Sequence, residues 1–537
     1  MNVYPTRTAS HLAVSGLVVF AIGIAARVPA IVAWGGALVF GVALARAVTL
    51  VSVMRIRAAG FEMLWNGAGR LARVPLGSVI ELEAEVRNRD TLAARYDRLR
   101  VVASPALDCA MEPPAGEVMA SGSVRLRVRV RPLRVGYHGI YGLALEVRGA
   151  PSLFEVPLTF ANPFGVEVLP RALGLALATP VGGRARAVAS SGRSGNRRGD
   201  GTELRELREH LPGDPFRRIA WKASAKRGVL VVREFEREER DVVWIVLDAS
   251  VELWGGPMGG APLDRAIEMA AAVAAQHLGN GDLVGLRVVG GRELARLAPD
   301  GGRRQLKRIT TALLEHTGVH DTDRSGWDEG DLALQVVEHL RPLDPRAVEG
   351  LGAGDLEKLA RRASAARGYA PFDRPPPQAR SQREARLRRY AACFGLHVPP
   401  RLEPDRPRSA AVLRDALLQL AREKRPRASL VHVVGPPPPE ELWESVAAAA
   451  RKLRGAAIGL RWSLPPAAAP GDAAPVARGE RLWLAAEEAV VLRARAAQRR
   501  GEAALRRMGA RIVHPLRERP APTRPPVAAE PGDEASA

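Results

Sequence analysis

The residue types best able to do chemistry stand at Asp248-Ala249-Ser250-Val251-Glu252, directly after the apolar, β-branched run 242–247. A short buried strand of a parallel sheet has that composition. Asp248 and Ser250 then fall at its carboxyl end, where open α/β sheets place their sites. Other chemistry-bearing patterns are missing from the sequence. There is no Gly-x-x-x-x-Gly-Lys-Ser/Thr loop to cradle a nucleoside triphosphate. There is no His-Glu-x-x-His and no paired-Cys spacing for zinc. Cys393 and His397 fall at i, i+4 with nothing nearby to complete a triad, so a packed helix is the plainer reading.

The stretch before this strand, 199–240, alternates Arg and Glu and carries two tight-turn signals, Gly199-Asp200-Gly201 and Pro212-Gly213-Asp214. It holds a series of short motifs in fixed order: Arg193-Ser194-Gly195, Gly199-Asp200-Gly201-Thr202-Glu203, Leu207-Arg208-Glu209, Pro212-Gly213-Asp214, Arg218 through Ala225, and Val232-Arg233-Glu234-Phe235. In these the chain resembles the family called domain of unknown function 58. One departure is Ala220, where the family often has an acidic residue. The resemblance implies a membrane anchor, a β-domain, a von Willebrand factor type A-like domain and association with MoxR-type AAA+ ATPases. It implies no known reaction. In von Willebrand type A domains an Asp-x-Ser-x-Ser loop binds a divalent ion, helped by a Thr and an Asp from later loops. Asp248 and Ser250 match, and Glu252 stands third. The helper positions read Gly330-Asp331-Leu332 and Val434-Gly435, which makes this a degenerate version of the loop. Hard oxygen donors of this kind suit Mg²⁺, yet with two helper oxygens missing no tight Mg²⁺ is expected.

The elements that position these residues follow from pattern. Residues 9–26 and 28–45 are two apolar runs, each reaching about 27 Å as a helix, close to a bilayer core. Arg7, Arg46, Arg55 and Arg57 flank them, against Arg27 alone in the turn, so both ends are expected in the cytoplasm. Phe61 to Trp65 reads as interfacial. From 69 to 170 strict alternation marks half-buried strands of a small β-sandwich, as in Ile80 to Arg87 and Val124 to Arg131. The row Arg125, Arg127, Arg129 and Arg131 could touch phosphates, but a solvated sheet face is the commoner meaning. Residues 190–198 read as a mobile loop. From 241 strands and helices alternate, which implies a doubly wound parallel sheet. A Pro-rich helical insertion is expected at 342–426.

The expected organisation is therefore multi-domain: a transmembrane hairpin and juxtamembrane segment at 1–58, a β-sandwich at 69–170, and the signature region and linker at 171–240. A von Willebrand type A-like α/β domain follows at 241–516, then a disordered tail at 517–537. The net charge of +21 comes from Arg spread over all regions, so a specific nucleic-acid partner is not expected. The two cysteines lie far apart and suit a reducing compartment. The functional reading is a non-enzymatic adaptor in the inner membrane, working with a MoxR-type ATPase through Arg205, Arg208, Glu209, Asp214, Arg218, Trp221, Arg233 and Glu234. A metal-dependent adhesion module and a basic nucleic-acid or anionic-lipid binder are the alternatives.

Overall fold

The computed structural model describes residues 4–59, 61–67, 69–89, 91, 93–148, 153–172, 193–316, 318–352, 354–465 and 478–513. Two helices, Arg7–Ala26 and Pro29–Ala59, form an antiparallel hairpin that turns on Arg27 at φ 57°. By length and composition, Arg7–Ala26 and Pro29–Val51 can each cross a bilayer. Glycines set how closely the helices approach. A Cβ on Gly35 would lie 2.4 Å from the Phe20 nitrogen, and one on Gly23 would lie 2.6 Å from the Val32 nitrogen. Small residues play this part where backbones touch. Val14, Leu17, Trp34 and Phe40 face outward. The second helix runs on well past residue 45, the end expected from hydropathy, because Arg46 and the residues after it continue the same backbone ladder.

The β-region is larger than 69–170. Phe61–Asn66, read as interfacial, is a strand paired with Ile80–Asn88. The latter pairs with Ser123–Pro132, which pairs with Leu107–Glu112, giving a four-stranded sheet. Tyr4–Pro5, ahead of the first apolar helix, joins the edge of a six-stranded sheet by pairing with Phe154–Leu169. Alternation works as its period predicts: Ala84, Val86, Leu126, Val128 and Val130 are buried. They pack with Tyr96, Leu143, Leu145, Ile140 and Val166 of the six-stranded sheet. On the wet face, Arg125, Arg127 and Arg129 stand in register with Glu85, Glu83 and Glu81. Opposite charges directly across a ladder favour each other, which accounts for the Arg row without a phosphate partner.

Where a linker was expected, Arg193–Glu209 and Val231–Glu239 form a two-stranded antiparallel ribbon. Residues 190–192 lie outside the described residues, and from Arg193 the expected loop is strand. The Gly199–Gly201 signal falls inside that strand, where the register shifts between Gly199 and Leu204. Glycines here loosen a ladder rather than close a turn.

The third sheet has six strands in the order Glu293–Asp300, Leu283–Val289, Val242–Asp248, Leu430–Val434, Gly459–Ser463, Arg511–Val513. All neighbours are parallel except the edge strand Glu293–Asp300, which sequence reading passed over because its Ala and Arg residues lack a buried stripe. Helices Pro262–Gly279 and Gly302–His316 cover one face. Arg406–Arg422, Trp443–Gly455 and the end of Arg478–Arg507 cover the other.

The insertion is shifted from 342–426. Arg406–Arg422 presents Leu413, Leu417 and Leu420 to Trp244 and Val246, so it belongs to the sheet. The separate helical core is built by Glu329–Leu343, Leu356–Ala366 and Gln382–Phe394. Gly395, in the left-handed region at φ 66°, ends the last of these, so Cys393 and His397 do not share a helix face. The Tyr141 hydroxyl donates to the Gly395 carbonyl at 2.9 Å and ties this core to the β-region. The tail 517–537 lies outside the described residues.

Candidate functional site

Strand Val242–Asp248 lies between Leu283–Val289 and Leu430–Val434, and Asp248 is buried at its carboxyl end. Its Oδ1 accepts the Ser250 N–H at 3.0 Å and the Ser409 hydroxyl at 2.8 Å. Asp405 is also buried. Its Oδ1 accepts the Val251 N–H at 2.9 Å and its Oδ2 the Gly291 N–H at 3.1 Å. Glu252 Oε1 accepts the Arg406 N–H at 2.7 Å. Burial pushes the Asp248 carboxyl above its ordinary range. Burial does the same to Glu252, and the adjacent Asp405 adds to it.

Asp405 and Ser409 were missed, and the reason is the insertion. By chain order the helix start at Gly330-Asp331-Leu332 was assigned to the loop. In the structure Asp331 instead forms a capping box with Asp328. The helix that returns to Asp248 is Arg406–Arg422, whose start carries Asp405, Pro407 and Ser409. An Asp followed by Pro in the first turn is a helix-start signal, and it was available. The strand-end position was placed correctly: a Cβ on Gly435 would lie 2.6 Å from the Asp248 Cβ.

Two oxygens of this loop, the Ser250 hydroxyl and Glu252 Oε2, are buried without a hydrogen-bond partner among the described residues. Mg²⁺ needs oxygens converging octahedrally on one point. Here both Asp405 oxygens, one Glu252 oxygen and Asp248 Oδ1 turn towards the protein's own N–H and O–H groups. No cluster of three or more His, Cys, Asp or Glu able to hold a metal occurs among the described residues. The arrangement acts as a clamp, fastening the 248–252 and 290–291 loops to one helix start.

The second candidate is the tip of the ribbon. The Arg208 guanidinium grips Asp214 through two bonds of 2.7 Å, and Asp214 Oδ2 also accepts the Leu211 N–H at 2.8 Å. The arginine beside it holds the Asp214 carboxyl down at about 2. A seven-residue helix, Trp221–Arg227, follows and stops at Gly228 in the left-handed region. The Ser224 hydroxyl donates to the Ala220 carbonyl and accepts the Val231 N–H. Ile219, Ala220, Val231 and Val232 make a small buried core. Ala220 is the N-cap of this helix, where an acidic side chain would satisfy a first-turn N–H and Ala cannot.

Around that core the tip turns apolar side chains outward. Phe216 is 74% exposed and Trp221 63%, with Leu211, Val229 and Leu230 also exposed. Of the residues expected to meet a partner, Trp221, Glu209 and Arg233 are exposed, and Arg218 is half-buried. Arg208 and Asp214 are engaged with each other and hold the tip's shape. The side chains of Arg205 and Glu234 lie outside the described residues. Phe216 and Leu211 were not singled out, because an isolated exposed apolar residue has no periodic signal in sequence.

The chain thus combines a largely parallel sheet with helices on both faces, a two-sheet β-region, a two-stranded ribbon that falls between them in sequence, and a pair of apolar helices. Residues 206–362 match the family described as "Protein of unknown function DUF58", which supports the resemblance read from the motifs. An uncharacterized protein of Mycobacterium tuberculosis and one of Mycobacterium bovis are each 29% identical over 148 residues, covering 27% of this chain and 44% of theirs. The chain therefore spans less than half the length of these relatives. Among solved structures, the PapD-like domain of human CEP192 is 14% identical over 21% of this chain and 86% of its own, with a TM-score of 0.16. The Escherichia coli chaperone DraB is 12% identical over 34% of this chain and 87% of its own, with a TM-score of 0.15.

Proposed function

We propose that this protein is a non-catalytic adaptor, anchored in the inner membrane by Arg7–Ala26 and Pro29–Val51, whose ribbon tip recruits a MoxR-type AAA+ ATPase. In this reading the two-sheet region is a β-sandwich seated on the anchor. The doubly wound sheet is a von Willebrand type A-like domain facing the cytoplasm, with its metal loop replaced by the Asp405 clamp. The observation that carries the reading is the tip. Within the family match, Phe216 and Trp221 are exposed on an arm whose main contacts are internal, ribbon strand to ribbon strand and tip helix to ribbon. Large apolar groups held outward on a small, well-braced support are what interface anchors look like. The partner's identity comes from the family resemblance.

The test is co-purification from detergent-solubilised membranes. The ATPase is expected with the natural chain and lost from the Phe216→Ala/Trp221→Ala variant, with the melting temperature nearly unchanged because both side chains are already in water. Retention of the ATPase by the variant overturns the assignment of the tip.

A further inference from the structure

The topology brings one end of the β-region against the apolar hairpin. Tyr4–Pro5 precedes the first helix by one residue, and Phe61–Asn66 follows the second almost at once. Tyr4 pairs with Glu155, and Phe61 pairs with Asn88. Arg87 pairs in turn with Ser123. Phe154 packs with Ala9 and Ala45 of the hairpin. The strand end at Arg87 to Arg89 and the turn at Met119 to Ser123 therefore lie on the side the hairpin leaves from.

That end carries a concavity of about 390 Å³ lined by Arg87, Asn88, Arg89, Ser121, Gly122 and Ser123. The turn is well braced. The Asn88 N–H donates to the Gly122 carbonyl at 2.8 Å, and the Asn88 amide donates to the Met119 carbonyl at 3.2 Å. Ser121 sits in the left-handed region at φ 52°. Arg87 is oriented by Glu85, with Nε to Oε1 at 3.0 Å, and Arg89 by Glu62, with Nη2 to Oε2 at 2.6 Å. Beside them Met119 is 67% exposed. Two guanidinium groups stand at the end the hairpin leaves from, Arg87 held by Glu85 through two bonds and Arg89 held by Glu62 through one. With them are the Ser121 hydroxyl and one outward apolar side chain, while the Ser123 hydroxyl is taken by Glu85. Arginine forks match a phosphate, and an apolar neighbour suits the acyl boundary just below it.

We propose that this concavity binds the phosphate headgroup of an anionic phospholipid, with Met119 entering the acyl boundary, so that lipid fixes the β-region against the bilayer. The proposal rests on the membrane anchor of the functional reading. It is tested on the full chain placed in nanodiscs of phosphatidylcholine alone or mixed with phosphatidylglycerol. Native mass spectrometry measures which lipid stays bound, and hydrogen exchange follows the amides of Met119 to Ser123. Phosphatidylglycerol is expected to be enriched and to protect the turn, while added glycerol phosphate does neither. Arg87→Gln/Arg89→Gln should lower the enrichment by about twenty-fivefold, the product of about fivefold for each arginine at a membrane surface. Met119→Ser, which leaves every ion pair intact, should weaken protection of the turn in the mixed nanodiscs. Equal protection in both lipids, or enrichment that survives the double substitution, overturns the headgroup site and leaves the anchor standing. Failure of the natural chain to enter nanodiscs at all overturns the anchor, and the site with it.

Discussion

Asp248 shows how much one residue's meaning depends on what returns to it. A buried carboxylate at a strand end is costly unless its oxygens find donors. Here the donors are the Ser250 N–H and the Ser409 hydroxyl. Asp248→Ala would leave both without a partner, at a cost of about 1–3 kcal/mol. Chemical denaturation should read that loss as a lower midpoint. Titration with Mg²⁺ and Mn²⁺ of the natural chain is expected to give no micromolar binding. Clear binding abolished by Asp248→Ala would show that the clamp opens to take a metal. Asp248, Ser250 and Gly435 were legible because the strand pattern locates them. Asp405 and Ser409 were not, because which helix start closes on the loop depends on how far an insertion runs, and local residues do not record that.

At the scale of elements, the sheet strands and the helices around them follow from period and composition. The helix Gln382–Phe394 was read to its ends, since Ser381 caps one and Gly395 the other. The ribbon was not legible. Among the described residues its strands pair with each other and, at Val232, with Ile219 through an isolated bridge, and a run of alternating Arg and Glu carries no apolar period to mark a strand. The join between β-region and sheet was equally hidden. Arg134, buried beside Trp254, reaches Asp264 on the helix Pro262–Gly279, with Nε to Oδ1 at 2.7 Å and Nη2 to Oδ2 at 3.1 Å. Removing one partner of such a pair strands the other charge. Asp264→Ala is expected to cost about 3–5 kcal/mol, and Arg134→Met with Asp264→Leu to recover part of it. Thermal unfolding of the two variants checks this. A double variant no more stable than Asp264→Ala would mean that packing around the pair, and not charge, holds the join.

At the scale of the whole molecule, five histidines enclosed by the packing, two buried and three half-buried, make stability depend on pH. Burial pushes His138, His316, His320, His339 and His432 each down to about 4. A free imidazole titrates near 6.5, so between about 6.5 and 4 the unfolded chain binds more protons than the folded one. Stability is therefore complete above this window and falls as pH drops through it. The melting temperature should decline steeply from neutral pH to pH near 4. Replacing His339, whose Nδ1 meets the Tyr390 hydroxyl at 2.7 Å, by Gln should flatten the slope. An unchanged slope would assign the acid sensitivity to other groups.

We propose the ribbon tip, and no other exposed surface, as the place where the ATPase docks. This docking is tested most directly by a photo-cross-linking amino acid placed in living cells at Trp221, with Leu402, 99% exposed on a different part of the molecule, as the control position. A cross-link to a MoxR-type ATPase is expected from position 221 and none from 402. An ATPase captured equally from both positions, or from neither, would contradict it.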